Sequence, residues 1–162
     1  MLVLGVDPGL GATGYALVEN KPDGLRLVEA GVIRSKSSLP LERRLLELYC
    51  GFESIIDEYR PEALAIEELY AHYQHPRTAV IMGHARGVFF LLAGKAGIPV
   101  CSYSATRIKK SLTGEGHATK EQVARMLSRV LRCDPFNGPS DVTDAVATAL
   151  CHINAISHGG EY

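Results

Sequence analysis

Leu2-Val3-Leu4-Gly5-Val6-Asp7-Pro8-Gly9, continued by Thr13-Gly14-Tyr15, is the stretch on which the fold turns. Its run of apolar β-formers predicts a buried central strand, and Pro8-Gly9 stops the ladder and reverses the chain directly after Asp7. One carboxylate is thereby delivered to the mouth of a sheet. It needs a counter-charge there, because an unpaired buried charge costs on the order of several kcal/mol.

Three readings compete for Asp7. It is the acceptor of a structural Asx-turn, the acid of a phosphate loop of the actin-like or sugar-kinase kind, which also reads Asp-x-Gly before Thr-Gly, or a metal ligand. Length weighs against the second: 162 residues, 46% apolar and 22% charged, predict one soluble globular domain spanning 1–162, too small for two lobes around a nucleotide. No apolar run approaches the roughly eighteen residues of a membrane span, and no basic leader precedes the first strand. The expectation is a cytoplasmic protein with no membrane association.

Cys50, Cys101, Cys133 and Cys151 are widely spaced and read as reduced, packed thiols rather than as a zinc knuckle or disulfide framework. His72 and His75 lack partner ligands at metal spacing and read as a solvated loop. Net charge is −1, but residues 107–132 hold seven basic side chains, among them Arg107, Lys109 and Lys120, against Glu115 and Glu121. A basic strip on a neutral protein suits a polyanion, while acids elsewhere are free to hold cations.

Two more strands, 15–19 and 25–34, follow across the turn 20–24 and complete an antiparallel meander. From Pro40, Leu41, Leu45, Leu48, Phe52, Ile55, Ile56 and Tyr59 recur at helical spacing up to Arg60-Pro61. Ala63-Leu64-Ala65-Ile66 then repeats the plan of the first strand and ends in Glu67-Glu68. If the two strands are parallel neighbours, Asp7 and one of the glutamates emerge at one sheet edge, where open α/β sheets place their ligands; alternation forbids both glutamates from facing Asp7. A helix of about twenty residues from Pro76 carries a stripe of Ala79, Gly83, Gly87 and Gly94, suited equally to self-association and to packing on its own sheet. Ile98–Cys101 predicts a fifth strand, Ser104 or Thr106 caps a short basic helix, and Thr119 caps another with Val123, Met126, Leu127, Val130 and Leu131 inside. The last helix, from Pro139-Ser140 to about Ser157, carries Asp141 and Asp144 on one side of its first turn. Acids there favour the helix dipole by about 0.3–1 kcal/mol without any function.

Asp7, one of the glutamates, Asp141 and Asp144 nonetheless form a set that phosphodiester hydrolysis wants. Mg²⁺ takes oxygen ligands, and two ions about 4 Å apart activate a water and stabilise the leaving 3′-oxygen. Without cations the acids repel by on the order of 3 kcal/mol per pair at about 5 Å and an effective dielectric near 20.

Gly5-Val6-Asp7-Pro8-Gly9 with Thr13-Gly14, Ala65-Ile66-Glu67, Gly83-x-Ala85-Arg86-Gly87, and Asp141-x-x-Asp144-Ala145 resemble the RuvC family of Holliday-junction resolvases. Arg107-Ile108-Lys109, and Gly114-x-Gly116 before Lys120-Glu121-Gln122-Val123, extend the resemblance over nearly the whole chain. It implies a ribonuclease H-like α/β fold, a five-stranded mixed sheet flanked by helices on both faces. It further implies a homodimeric, Mg²⁺-dependent endonuclease that resolves four-way DNA junctions by paired symmetric cuts in recombination and repair. Two Mg²⁺ per site, with Mn²⁺ as a substitute, would be held by Asp7, Glu67, Asp141 and Asp144. Arg107, Lys109 and Lys120 would contact DNA, and the RuvA–RuvB branch-migration complex would be a partner. Glu68 is not expected to ligate, and the segment 70–82 matches the family least.

Tyr70 opens a loop with Tyr73 and His75 just past Glu67, so its ring is expected to stack on a base, with a core tyrosine as the alternative. Two other functions compete: a ribonuclease H-like nuclease for RNA–DNA hybrids or flaps, and a junction-binding scaffold whose acids are only caps.

Overall fold

The computed structural model describes residues 1–69, 76–133, 138–157 and 159. β1 (Leu2–Asp7) forms its middle strand and pairs antiparallel with β2 (Ala12–Lys21), which pairs antiparallel with β3 (Gly24–Arg34). After α1 (Leu41–Tyr59), β4 (Ala63–Glu67) returns parallel to β1 on its other side; after α2 (Pro76–Ala96), β5 (Val100–Tyr103) joins parallel to β4. The sheet order is β3-β2-β1-β4-β5. α3 (Ala105–Thr113), α4 (Lys120–Val130) and α5 (Ser140–Ser157) complete the described chain.

The period-two alternation of the strands divides the core. Leu4, Val6, Leu17, Leu64 and Ile66 pack with Phe52, Ile55 and Ile56 of α1 and Phe89 and Leu92 of α2. Val3, Ala16, Val18 and Ala65 pack on the opposite face, with Ile108, Val123, Leu127 and most of the buried side of α5. Asp7 continues the Val3 face and Glu67 the Ala65 face, so both turn toward α5. Glu68 turns the other way, as alternation requires.

α5 approaches the sheet closely because β1 and β2 are bare beneath it. A methyl group on Gly5 would overlap the Ala145 carbonyl oxygen, and one on Gly14 would overlap the carbonyl of Asp141. Ala145 and Ala149, both fully buried, complete the small-residue contact from the helix side. Ala145 of the Asp-x-x-Asp-Ala motif is thus set by fit against the sheet.

Two strands start elsewhere than the sequence reading placed them. β2 starts at Ala12, since Gly14 pairs with Asp7 within the ladder. The turn before it is held by Thr13, whose hydroxyl donates to the Gly9 carbonyl and accepts from the Gly9 N–H at 3.3 Å. β5 starts at Val100, not Ile98, because α2 ends through Gly97 (φ 69°) and the Ile98 N–H is spent on the Ala93 carbonyl at 2.9 Å. Pro99 then has no N–H to offer. Of the two candidate caps for α3, Ser104 is the one used, accepting from the Arg107 N–H, and Thr119 forms a full capping box with Gln122 on α4.

The small-residue stripe of α2 does not pack on its own sheet. Gly83, Gly87 and Gly94 face open space, and Val80, Phe90 and Leu91 are exposed on the same side, with Leu46 of α1 also exposed. Contrary to the sequence reading, Arg77–Ala96 is long and apolar enough to cross a membrane by length and composition, because its glycines, alanines, leucines and phenylalanines outweigh its few charges. The midpoint of the helix is tied into the fold by Arg86, whose guanidinium bonds the end of β4.

Candidate functional site

Parallel pairing of β1 and β4, with Val6 beside Ile66, sets Asp7 and Glu67 next to each other at one edge of the sheet. α5 enters over Gly14, the register partner of Asp7, and brings Asp141 and Asp144 to the same place. The Asp7 carboxylate accepts no hydrogen bond from the described residues, so the Asx-turn reading does not describe it; Thr13 does that work.

The fields of these acids overlap. Burial, then the carboxylates of Asp144, Glu67 and Asp141, push the Asp7 carboxyl up to about 7, with Lys120 opposing. Burial and Asp144 raise Glu67, opposed by Lys109. Burial raises Asp144 too, with Asp141 adding to it and Lys120 and Lys109 opposing. Two lysines from the basic strip therefore lie at the rim of the cluster. Lys120 is aimed there by a 2.8 Å hydrogen bond to Ser140 Oγ, at the first residue of α5.

A groove of about 500 Å³ opens beside the acids, lined among others by Glu67, Ile108, Lys109, Lys120, Ser140 and Asp144. Asp7 and Asp141 lie outside its lining and act on it through their charge. As placed, no three of the described His, Cys, Asp and Glu side chains converge closely enough to hold one ion. The donor set still fits a hard divalent cation, because it is all carboxylate oxygen and makes no ion pair within 4 Å among the described residues. A cation would also relieve the repulsion that, after burial, raises the Asp7 carboxyl. Asp7, Glu67, Asp141 and Asp144 are the residues that could hold it.

Arg107 is placed differently from the two lysines. Its guanidinium lies 4.9 Å over the Tyr103 ring, outside the groove lining, and Tyr103 in turn hydrogen-bonds the buried His152 at 2.8 Å. Tyr70, Tyr73, His72 and His75 lie outside the described residues. Sequence reasoning missed the supporting residues: Ser140, which steers Lys120, and Arg86 with Ser102, which hold the end of β4. A mid-helix arginine and a strand serine carry no sign of that role in the sequence except the Gly-x-Ala-Arg-Gly motif itself.

A family model described as crossover junction endodeoxyribonuclease RuvC matches residues 3–152. This chain belongs to the RuvC family. A RuvC of Rhodopirellula baltica is 44% identical over 149 residues, covering 92% of this chain and 84% of its own length. One from Pelotomaculum thermopropionicum is 41% identical over 152 residues, 94% and 92% of the two chains. The RuvC structure of Thermus thermophilus superposes with a TM-score of 0.91 at 32% identity, covering 98% of this chain and 97% of that one. The same protein in complex with Holliday junction substrate superposes equally well, covering 96% of that chain. The fold is therefore ribonuclease H-like, with helices on both faces of a mixed five-stranded sheet, as the resemblance implied. It is shared at 12% identity and a TM-score of 0.70 by the yeast mitochondrial Holliday junction resolvase Ydc2.

Proposed function

We propose that this protein is a Mg²⁺-dependent endonuclease that resolves four-way DNA junctions by two symmetric cuts, with Asp7, Glu67, Asp141 and Asp144 as its metal ligands. The observation that supports the reading is that Asp7, Glu67, Asp141 and Asp144, from three elements, feel one another's charge at one sheet edge, with Lys109 and Lys120 lining the adjoining groove. A pair of bound Mg²⁺ ions, or Mn²⁺ in their stead, would supply an activated water and charge stabilisation at the leaving 3′-oxygen. Asp7, Glu67, Asp141 and Asp144 would hold the ions, and binding would favour the ionised form of Asp7. Lys109 and Lys120 bring positive charge to the backbone at the groove, offsetting the cost of setting a phosphate against acids. Arg107, outside the groove lining and over the Tyr103 ring, is proposed to contact DNA beyond the rim, and Tyr70 to stack on a base near the crossover.

Two cuts related by a two-fold axis call for two copies of the site, and the exposed face of α2 is the surface that suits a second copy. Val80, Phe90 and Leu91 supply its apolar area, while the open glycines at 83, 87 and 94 let two backbones approach. The RuvA–RuvB branch-migration complex is the partner, and the cytoplasm the compartment, that family membership implies.

The deciding experiment incubates labelled synthetic four-way junction, duplex, flap and RNA–DNA hybrid with the protein, with and without Mg²⁺. Mg²⁺-dependent paired nicking selective for the junction is expected. Equal cutting of the hybrid would make it a general nuclease, and binding without cutting a scaffold.

A further inference from the structure

The Gly83-x-Ala85-Arg86-Gly87 motif has no part in the chemistry just described, yet its arginine reaches the strand that carries a catalytic acid. Arg86 lies on α2, on the sheet face opposite α5, and is half-buried. One guanidinium nitrogen, Nη1, donates to the backbone carbonyl of Glu67, and Nη2 donates to Ser102 Oγ at 2.6 Å. Its far side lies 5.1 Å over the ring of Phe90, one turn along the helix. Both acceptors are neutral, so the fork is not spent on a carboxylate.

The geometry points to Arg86 as a positioning residue for Glu67, a role that rests on the metal-dependent reading of the site. Glu67 is the last residue of β4, and past it the ladder with β1 has already ended at Val6–Ile66. The peptide plane that sets where the Glu67 side chain points thus lacks support from the β1 side. Its N–H side is already held to β5, where the Glu68 N–H donates to the Tyr103 carbonyl at 2.9 Å, and the planar fork of an arginine completes the support by holding the Glu67 carbonyl and Ser102 Oγ together. A lysine has a single point of donors and cannot span both acceptors in one plane. Arg86 touches neither substrate nor ion; it holds the backbone from behind while the carboxylate works on the α5 side.

A second consequence is coupling. Phe90 belongs to the exposed face of α2 and is 43% exposed. Its ring lies against the guanidinium, so that face of α2 and the group that holds Glu67 are in contact.

The test uses the full chain carrying Arg86→Met, which keeps the apolar stem but removes the fork, Arg86→Lys, and Ser102→Ala. Two readings are taken: the Mg²⁺ concentration giving half of the Mg²⁺-induced rise in melting temperature, without DNA, and the single-turnover cleavage rate on a bound junction. Arg86→Met is expected to raise the Mg²⁺ half-point and lower the cleavage rate by about 10–100-fold, the usual range for groups that orient a metal ligand, with junction affinity within about twofold. Arg86→Lys should fall between, and Ser102→Ala should shift in the same direction by less. An unchanged Mg²⁺ half-point in all three variants would overturn the role, even if Arg86→Met melts earlier, because helix packing alone does not move metal affinity. A parallel loss of junction affinity and rate would overturn it too, by making Arg86 a DNA contact. Failure of the unsubstituted chain to cut junctions would sink the resolvase reading instead, and the Mg²⁺ half-point, read without DNA, distinguishes the two.

Discussion

Gly14 lies so close beneath the backbone carbonyl of Asp141 that no side chain can stand between them. The contact is with backbone, which cannot rotate away, so Gly14→Ala must lift the first turn of α5 from the sheet. Overpacking of this kind costs about 1–3 kcal/mol. The same displacement carries Asp141 and Asp144 away from Asp7. Expected outcomes are a lower melting temperature and cleavage reduced far more than the stability loss explains, measured at a temperature where the variant is still folded. A variant with native rate would show that α5 tolerates the shift.

Asp7 makes the metal-free protein less stable as pH rises. Its carboxyl is raised from 3.8 to about 7, so between those values the native state binds a proton that the unfolded chain has lost. Stability therefore falls with increasing pH across that window, and Glu67 and Asp144, raised in the same direction, add the same sign. Asp7→Asn should melt above the unsubstituted protein in chelator at pH 8, with the difference closing toward pH 4. Mg²⁺ should recover the difference for the native sequence and give little to the variant. Identical melting curves at pH 8 would contradict the electrostatic account.

Each of Asp7→Asn, Glu67→Gln, Asp141→Asn and Asp144→Asn is expected to abolish Mg²⁺-dependent cutting while junction binding persists. Ligand loss removes stabilisation of charge that appears only in the transition state, whereas affinity derives from phosphate contacts. Gel-shift titration beside a cleavage assay separates the two. Substantial residual cutting by any one of them would remove that residue from the site.

Lys109→Ala and Lys120→Ala should each lower the slope of log binding constant against log salt by about 0.9 for every phosphate left without its lysine. Because Ser140 steers Lys120, Ser140→Ala should reproduce part of the Lys120→Ala effect on cleavage. Slopes that do not change would return both lysines to solvent.

Leu91, 58% exposed on α2, is the probe of self-association that avoids the Arg86–Phe90 contact. Leu91→Glu places two charges face to face across a two-fold axis and should yield monomers in light scattering at micromolar concentration. Paired symmetric nicking should then decay to single nicks. An unchanged molecular mass would move the interface elsewhere.

The sheet, its parallel β1–β4 pair and all five described helices were legible because strand runs end in carboxylates and helices announce themselves by period and caps. Asp7 and one of the two glutamates could be placed together from parallel pairing and alternation, and the family resemblance pointed to Glu67. Asp141 and Asp144 could not, since a helix's first turn favours acids anyway; what brings them beside Asp7 is the close approach of α5 over Gly5 and Gly14, whose meaning depends on which helix lies above. β5 was misplaced by two residues because Ile98-Pro99 reads as strand until the α2 terminus claims the Ile98 N–H. The exposed stripe on α2 was ambiguous for the same reason: small residues look alike whether they pack inward or face outward.

α5 covers β1, β2 and β4 and contributes half of the acids, while the first of them stands at residue 7. Some 133 residues of synthesis thus separate Asp7 from Ser140, roughly seven to twenty-seven seconds at ordinary translation rates. A nascent chain lacking α5 has an open sheet face and only two of the four acids, Asp7 and Glu67. With the four acids in the role proposed for them, such a chain would be unable to cut until α5 is made and docked.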